Sequence, residues 1–193
     1  DIASGEWTWL AGSRNAHPNS SYGTRGLPAA SNTPGGRLSC HSWYSGDGNL
    51  YTFGGPGLDQ NGNSGYLNDF WRYDTTTGWW TWLSGAGGLY QFGQYEYKGI
   101  RNASDVPGAR ADAVTWYLGN GKFYLFGGYG YIQGGIDGRL NDLWVLDMVS
   151  GTTPDTIRSG WNIASVPKYQ FNISPDGILG DDVSPTPGVF GYS

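Results

Sequence analysis

Apolar and aromatic residues fall along this chain in short runs, each closed by glycine or by small polar residues. Leu50, Tyr51 and Phe53 run into Gly54-Gly55, and Phe70, Trp71 and Tyr73 end at Asp74. Trp79 to Leu83 follows the turn Thr75-Thr76-Thr77-Gly78. Runs this short, rich in aromatic residues and bounded by Gly, Asp, Asn and Ser, predict β-strands joined by turns. Few stretches run far enough without Gly or Pro to form an amphipathic helix. The pattern therefore predicts an all-β fold.

The runs repeat. With an offset of 73 positions, thirty of the residues in 5–77 are found again in 78–150 without a gap. Trp7-Thr8-Trp9-Leu10 returns as Trp80-Thr81-Trp82-Leu83, and Pro34-Gly35 with Arg37 as Pro107-Gly108 with Arg110. Phe53-Gly54-Gly55 returns as Phe126-Gly127-Gly128. Leu67-Asn68-Asp69, Trp71 and Asp74 return as Leu140-Asn141-Asp142, Trp144 and Asp147. A fixed period of this kind predicts stacked, similar units.

Each unit reads as four strands. In the first they are expected at 37–44, 49–54, 67–74 and 79–83, with a hairpin turn at Ser45-Gly46-Asp47-Gly48 and a Gly-rich loop over 56–66. The second unit places them at 110–117, 122–127, 140–147 and near 157–164. The chain then divides into five parts. Residues 1–36 hold a strand four belonging to a preceding sheet and a long connection, and 37–83 the first complete sheet. Residues 84–109 form a second long connection, and 110–165 the second sheet. Residues 166–193 are a connection and the start of a third. Long ordered connections are common binding surfaces.

Composition sharpens this picture. The 193 residues include 34 Gly, 10 Trp and 14 Tyr, and only 14% are charged. Net charge is −5, which argues against nucleic acid and anionic membranes as partners, since both call for a basic face. No apolar run reaches the roughly 18 residues of a membrane helix, so membrane insertion is not expected. The single cysteine, Cys40, has Ala113 as its counterpart, and a small buried residue is the expected role.

A Gly-Gly pair after an apolar strand, an aromatic strand ending in Asp, and a Trp some residues later resemble the kelch repeat. The residues that carry the resemblance are Tyr51-Thr52-Phe53-Gly54-Gly55, Asn68-Asp69-Phe70-Trp71-Arg72-Tyr73-Asp74, Trp80 and Trp82. Their second-unit matches are Tyr124 to Gly128 and Asn141 to Asp147. The resemblance implies β-propeller blades, each a four-stranded antiparallel sheet. About two blades with partial flanking blades make an incomplete propeller, completed by further blades of a longer chain, by copies of the chain or by other proteins. The period exceeds the usual kelch length of about 50.

Candidate chemistry divides by whether it repeats. Trp7, Trp9, Trp71, Trp80, Trp82 and Trp144 recur and are expected in the core. Asp69 and Asp142 are expected to accept backbone N–H bonds in a turn before strand three, and Asp74 and Asp147 to do the same before strand four. Arg37 and Arg110 are expected to bond to carbonyls or to a repeated Asp, in preference to forming an anion-binding ring, which Phe190 would interrupt. Asp59-Gln60-Asn61-Gly62-Asn63 has the oxygen spacing of a calcium loop, but no Glu follows and a polar turn is the better reading. The double glycines lack the Lys-Ser/Thr of a phosphate loop.

What fails to repeat is the better place to look for function. Tyr90, Phe92, Tyr97, Tyr129 and Tyr131 are aromatic where the first unit has His17, Asn19, Thr24, Pro56 and Leu58. They are the interface or ligand candidates. Asn19, Asn102 and Asn172 begin N-glycosylation sequons. Only His17 and His41 are present, neither repeats, and no nucleophile or metal motif is visible. No catalytic residue, metal or cofactor is therefore assigned. The expected function is a non-enzymatic interaction scaffold, part of a larger secreted or cell-surface protein or assembly, with a cytoplasmic protein as the alternative location. A carbohydrate-binding propeller using loop aromatics is one alternative. Non-catalytic blades of a galactose-oxidase-like enzyme are another.

Overall fold

The computed structural model describes residues 3–119 and 121–148, and the backbone of a strand at 161–163. Among the described residues there is no helix, so none is long and apolar enough to cross a membrane. The chain forms two antiparallel sheets. The first holds β1 (His41–Tyr44), β2 (Asn49–Leu58), β3 (Ser64–Asp74) and β4 (Trp79–Ser84) in sequential order. The second holds β5 (Arg110–Ala111), β6 (Val114–Tyr117), β7 (Lys122–Tyr131), β8 (Asp137–Asp147) and β9 (Trp161–Ile163). There β5 and β6 both pair with β7, and β8 and β9 follow. The fold is all-β, built of blade-like antiparallel sheets.

The middle strands run longer than the sequence predicts. The double glycines do not end β2 and β7; they bulge them. Gly54 and Gly55 have φ of 61° and 86°, and the ladder to β3 shifts register between Phe53 and Gly55, then continues to Leu58↔Ser64. Gly127 and Gly128 do the same in β7, which continues to Tyr131↔Asp137. A bulge with left-handed glycines redirects a strand without ending it. The expected Gly-rich loop is therefore mostly sheet, and its turn is confined to 59–63. Strand one is shorter than expected for a matching reason. Ser39 (φ 42°) and Asp112 (φ 57°) sit at equivalent positions and break it in both units.

At Trp7 to Leu10 the strand-four sequence takes no strand conformation, because no described strand three precedes it to pair with. Trp7 and Trp9 are exposed, contrary to the core role their repeat predicts, whereas Trp71 and Trp144 are fully buried. Trp80 and Trp82 are half-buried. Cys40 is a free thiol and half-buried, less enclosed than expected.

The core lies between the two sheets. Phe123 of the second meets Trp43, Tyr51 and Phe70 of the first at ring-centroid distances of 5.7, 4.9 and 6.4 Å. Phe53 and Leu83 on the first sheet and Leu125, Trp144 and Leu146 on the second complete the cluster. The second sheet's outer face carries the same residue types with no sheet against them among the described residues. Phe53 is 0% exposed and its twin Phe126 41%; Trp43 is buried and its twin Trp116 exposed.

The connection over residues 85–109 binds down on both sheets. The Ala86 N–H donates to Asn68 Oδ1 (3.0 Å) and the Tyr90 N–H to the Tyr66 carbonyl (2.8 Å). The Ala109 N–H returns to the Gln91 carbonyl (2.8 Å), and Asn68 Nδ2 donates to the Pro107 carbonyl (3.3 Å).

Candidate functional site

The repeated polar residues form one network, built twice. Asp69 lies within β3, not in a turn before it, and its carboxylate takes a bidentate bond from Arg37 (2.8 and 2.9 Å). Tyr22 Oη (3.0 Å) and Trp71 Nε1 (2.7 Å) also donate to it. In the second unit Asp142 accepts from Arg110 (2.7 and 2.7 Å), Tyr95 Oη (2.7 Å) and Trp144 Nε1 (2.5 Å). Each arginine also donates to the bulge carbonyl, Gly54 or Gly127, at 3.2 and 3.0 Å. The turn role predicted for Asp69 and Asp142 fails because both lie within a strand and each carboxylate is taken by the arginine, tyrosine and tryptophan of its own unit, the fork-shaped cation satisfying both oxygens. Burial pushes the Asp142 carboxyl up, but the hydrogen bonds and charge of Arg110, with Trp144 and Tyr95, more than offset this and hold it below the usual range. Burial and the Asp69 charge push the Tyr22 hydroxyl well up, so it stays a donor. The guanidinium nitrogens of Arg37 and Arg110 are all taken by carbonyls or by the aspartate, as expected in preference to an anion-binding ring.

The other repeated aspartates divide. Asp74 caps its turn, accepting from the Thr76 N–H (2.7 Å) and Thr77 N–H (3.3 Å), as expected. Asp147 pairs with Lys122 (2.6 Å) and Arg101, where the first unit has Asn49 and Pro28; the N–H groups that would test its turn role, those of residues 149 and 150, lie outside the described residues. Asp59 Oδ1 accepts the Asn61 and Asn63 N–H groups (2.8 Å each), which makes the expected polar turn.

The unit-specific aromatics converge. Four of the five candidates, Tyr90, Phe92, Tyr129 and Tyr131, form one cluster with Tyr66. The Tyr131 ring lies 5.5 Å from Tyr90, 6.0 Å from Tyr66 and 6.4 Å from Phe92, and Tyr66 lies 6.2 Å from Tyr129. Three elements supply it: β3 gives Tyr66, the connection gives Tyr90 and Phe92, and β7 gives Tyr129 and Tyr131. Two glycines make room. A Cβ on Gly65 would meet the Tyr90 ring at 2.5 Å, and one on Gly135 the Phe92 ring at 2.9 Å. Tyr90 sits at φ 56°, a costly conformation for a bulky residue, and its twin His17 has φ 57°. The strain thus belongs to the shared connection, and the sequence exploits it to aim a ring.

Tyr90, Phe92 and Tyr129 remain 40–46% exposed, so the cluster is a surface patch over the sheet junction. Tyr129 Oη donates to Asp137 Oδ2 (2.6 Å), and this bond with the Asp137 charge raises the phenol above its ordinary value. Tyr97 stands apart, exposed at a turn closed by the Ile100 N–H on its carbonyl (3.1 Å). Tyr66 was missed because it falls in the segment read as loop. Its twin is Arg139, so the same comparison of units, run in the other direction, exposes it.

The histidines stay separate from the patch: His17 is exposed in the first connection and His41 is buried in β1 beside Phe53. Among the described residues no three His, Cys, Asp or Glu side chains gather. Asn19 is exposed, and Asn102 accepts from the Ser104 N–H and hydroxyl (3.0 and 2.9 Å) in its own sequon. Asn172, Phe190 and the start of a third sheet lie outside the described residues.

No family model and no curated protein matches the chain. Among solved structures it is similar to YjhT, at 31% identity over 53% of this chain. The match spans 23% of the YjhT chain, with a TM-score of 0.37.

Proposed function

We propose that this chain is a non-enzymatic interaction scaffold of kelch-type β-propeller blades, acting in a larger secreted or cell-surface protein or assembly. The observation that carries the reading is the pair of twin faces. The face of the first sheet bearing Trp43, Tyr51 and Phe53 holds a second sheet. The matching face of the second sheet, with Trp116, Tyr124 and Phe126, is a ready seat for another blade. Exposed aromatic residues on one face of a sheet favour association. The occupants that fit are further blades of the same repeat, from copies of the chain or from a protein partner. The polar residues that recur are used internally, which leaves little for catalysis.

Sedimentation velocity across a wide concentration range tests the assembly. The parent chain is expected to self-associate, and a Trp116→Ser, Phe126→Ser variant to remain a monomer. A parent chain that stays monomeric throughout removes copies of itself as partners.

A second reading, saccharide binding, is favoured by the Tyr129–Asp137 pair within the aromatic patch. Exposed rings stack on sugar faces, and a carboxylate beside them accepts from hydroxyls. Binding on a glycan array that disappears with Tyr131→Ala, while the thermal midpoint is unchanged, supports it. An array with no bound glycan removes it.

A further inference from the structure

The two long connections share two turns and a bridge. The Leu27 N–H bonds to the Thr24 carbonyl at 3.1 Å, and the Ile100 N–H to the Tyr97 carbonyl at 3.1 Å. The Asn32 N–H bonds to the Ala29 carbonyl at 3.1 Å, and the Asp105 N–H to the Asn102 carbonyl at 3.3 Å. The paired bridge of Ser21 and Thr33 returns as Gln94 and Val106. Positions 32 and 105 therefore sit at the same point of the same backbone turn.

The chemistry at that point differs. Asn32, buried, turns its amide nitrogen to two carbonyls, Leu27 (2.9 Å) and Trp80 (3.0 Å). Its twin is Asp105, 2% exposed. Asp105 Oδ1 accepts the Glu96 N–H at 2.9 Å, whereas the Asn32 oxygen lies beside Gly23 without a hydrogen bond. That leaves Asp105 Oδ2 where Asn32 has its donor, and Oδ2 is buried with no hydrogen-bond partner. The carbonyl twin of Leu27 is Ile100. An amide that donated to two carbonyls is thus replaced by an oxygen that can only accept when ionised. A buried carboxyl facing an acceptor either holds a proton or has positive charge between them.

We propose that Asp105 Oδ2, with the Ile100 carbonyl, is part of the oxygen cradle of a hard cation. Carboxylate and carbonyl oxygens are the ligand set of calcium and of alkali cations, with water filling the remaining positions. Asp105 also lines a cavity of about 290 Å³ with Ser84, Gln94 and Ser104, which gives an entry path. The Ser84 hydroxyl oxygen is a second buried atom without a partner. Arg25, on the rim, is occupied by the Gly85 carbonyl (2.6 Å) and the Trp82 ring. The cavity touches the aromatic patch at Phe92, but Asp105 itself is not part of that patch.

The test compares the full chain with Asp105→Asn, which restores the first unit's amide and is expected to fold. Both are passed over a chelating resin and unfolded thermally in CaCl2, NaCl or KCl, with an organic salt to match ionic strength. The parent midpoint is expected to rise by about 5 °C with one of these metals at a hundredfold excess over Kd. Asp105→Asn should not respond, and which salt acts identifies the cation. A parent that responds to no metal overturns the proposal, most plainly if Asp105→Asn is more stable in every salt. The carboxylate is then only a poorer copy of the amide. A response that persists in Asp105→Asn overturns it too, because the metal then binds elsewhere.

Discussion

His41 is held in an environment that favours its neutral form. Burial first, and then the positive charge of Arg110, lower its pKa from the ordinary value to about 4. Its Nε2 is buried with no partner, and the ring stacks on Phe53 at 6.1 Å. The unfolded chain binds this proton near pH 6.5 and the folded chain only near pH 4. Stability from this group is therefore intact above about pH 6.5 and lost as pH falls toward 4, by roughly 3 kcal/mol in total. Urea unfolding at closely spaced pH values should show this slope, and His41→Gln should flatten it in that window. A parent curve flat between pH 6.5 and 4 would mean that water or a polar group reaches Nε2.

At the level of elements, the glycine bulges decide how far the sheets extend. Gly55 and Gly46 share a left-handed backbone, at φ 86° and 81°, but not a neighbourhood. A Cβ on Gly55 would lie 2.3 Å from the Leu38 carbonyl, while one on Gly46 meets nothing within 4 Å. Gly46→Ala is expected to cost about 1 kcal/mol, from backbone strain alone, and Gly55→Ala at least about 2 kcal/mol more. Chemical denaturation of the two variants measures the difference, and equal costs would show that the bulge yields.

These glycines also explain what was legible in the sequence. Strand positions could be read, because aromatic runs and their period mark them. Strand ends could not, because Gly54-Gly55 looks the same whether it stops a ladder or kinks it. The partner of Arg37 was legible as a repeated Asp. Asp69 already falls inside the strand expected at 67–74, and β3 starting at Ser64 sets it five residues from the turn, so a turn role does not suit it. The aromatic patch was largely legible because function was sought among residues that differ between units. Its convergence was not, since it depends on how the connection crosses from β3 to β7.

For the whole molecule, the arrangement of sheets gives identical side chains unequal weight. Phe53 and Phe126 share a motif, yet one is sealed at the sheet junction and the other faces outward. Phe53→Ala should cost about 3–5 kcal/mol and Phe126→Ala less than about 1 kcal/mol in dilute monomer. If Phe126→Ala proves equally costly, the outer face is already covered in solution.

The connection between the sheets carries one more consequence. Because it is fastened to β3 at Ala86 and Tyr90 and to its own far end at Gln91 and Ala109, it has no slack to extend under load. Force that draws the sheets apart meets a short tie whose bonds must break together, so the pair should yield abruptly and not creep. A protease cutting between Ala86 and Ala109 would sever that tie yet leave both sheets' ladders intact.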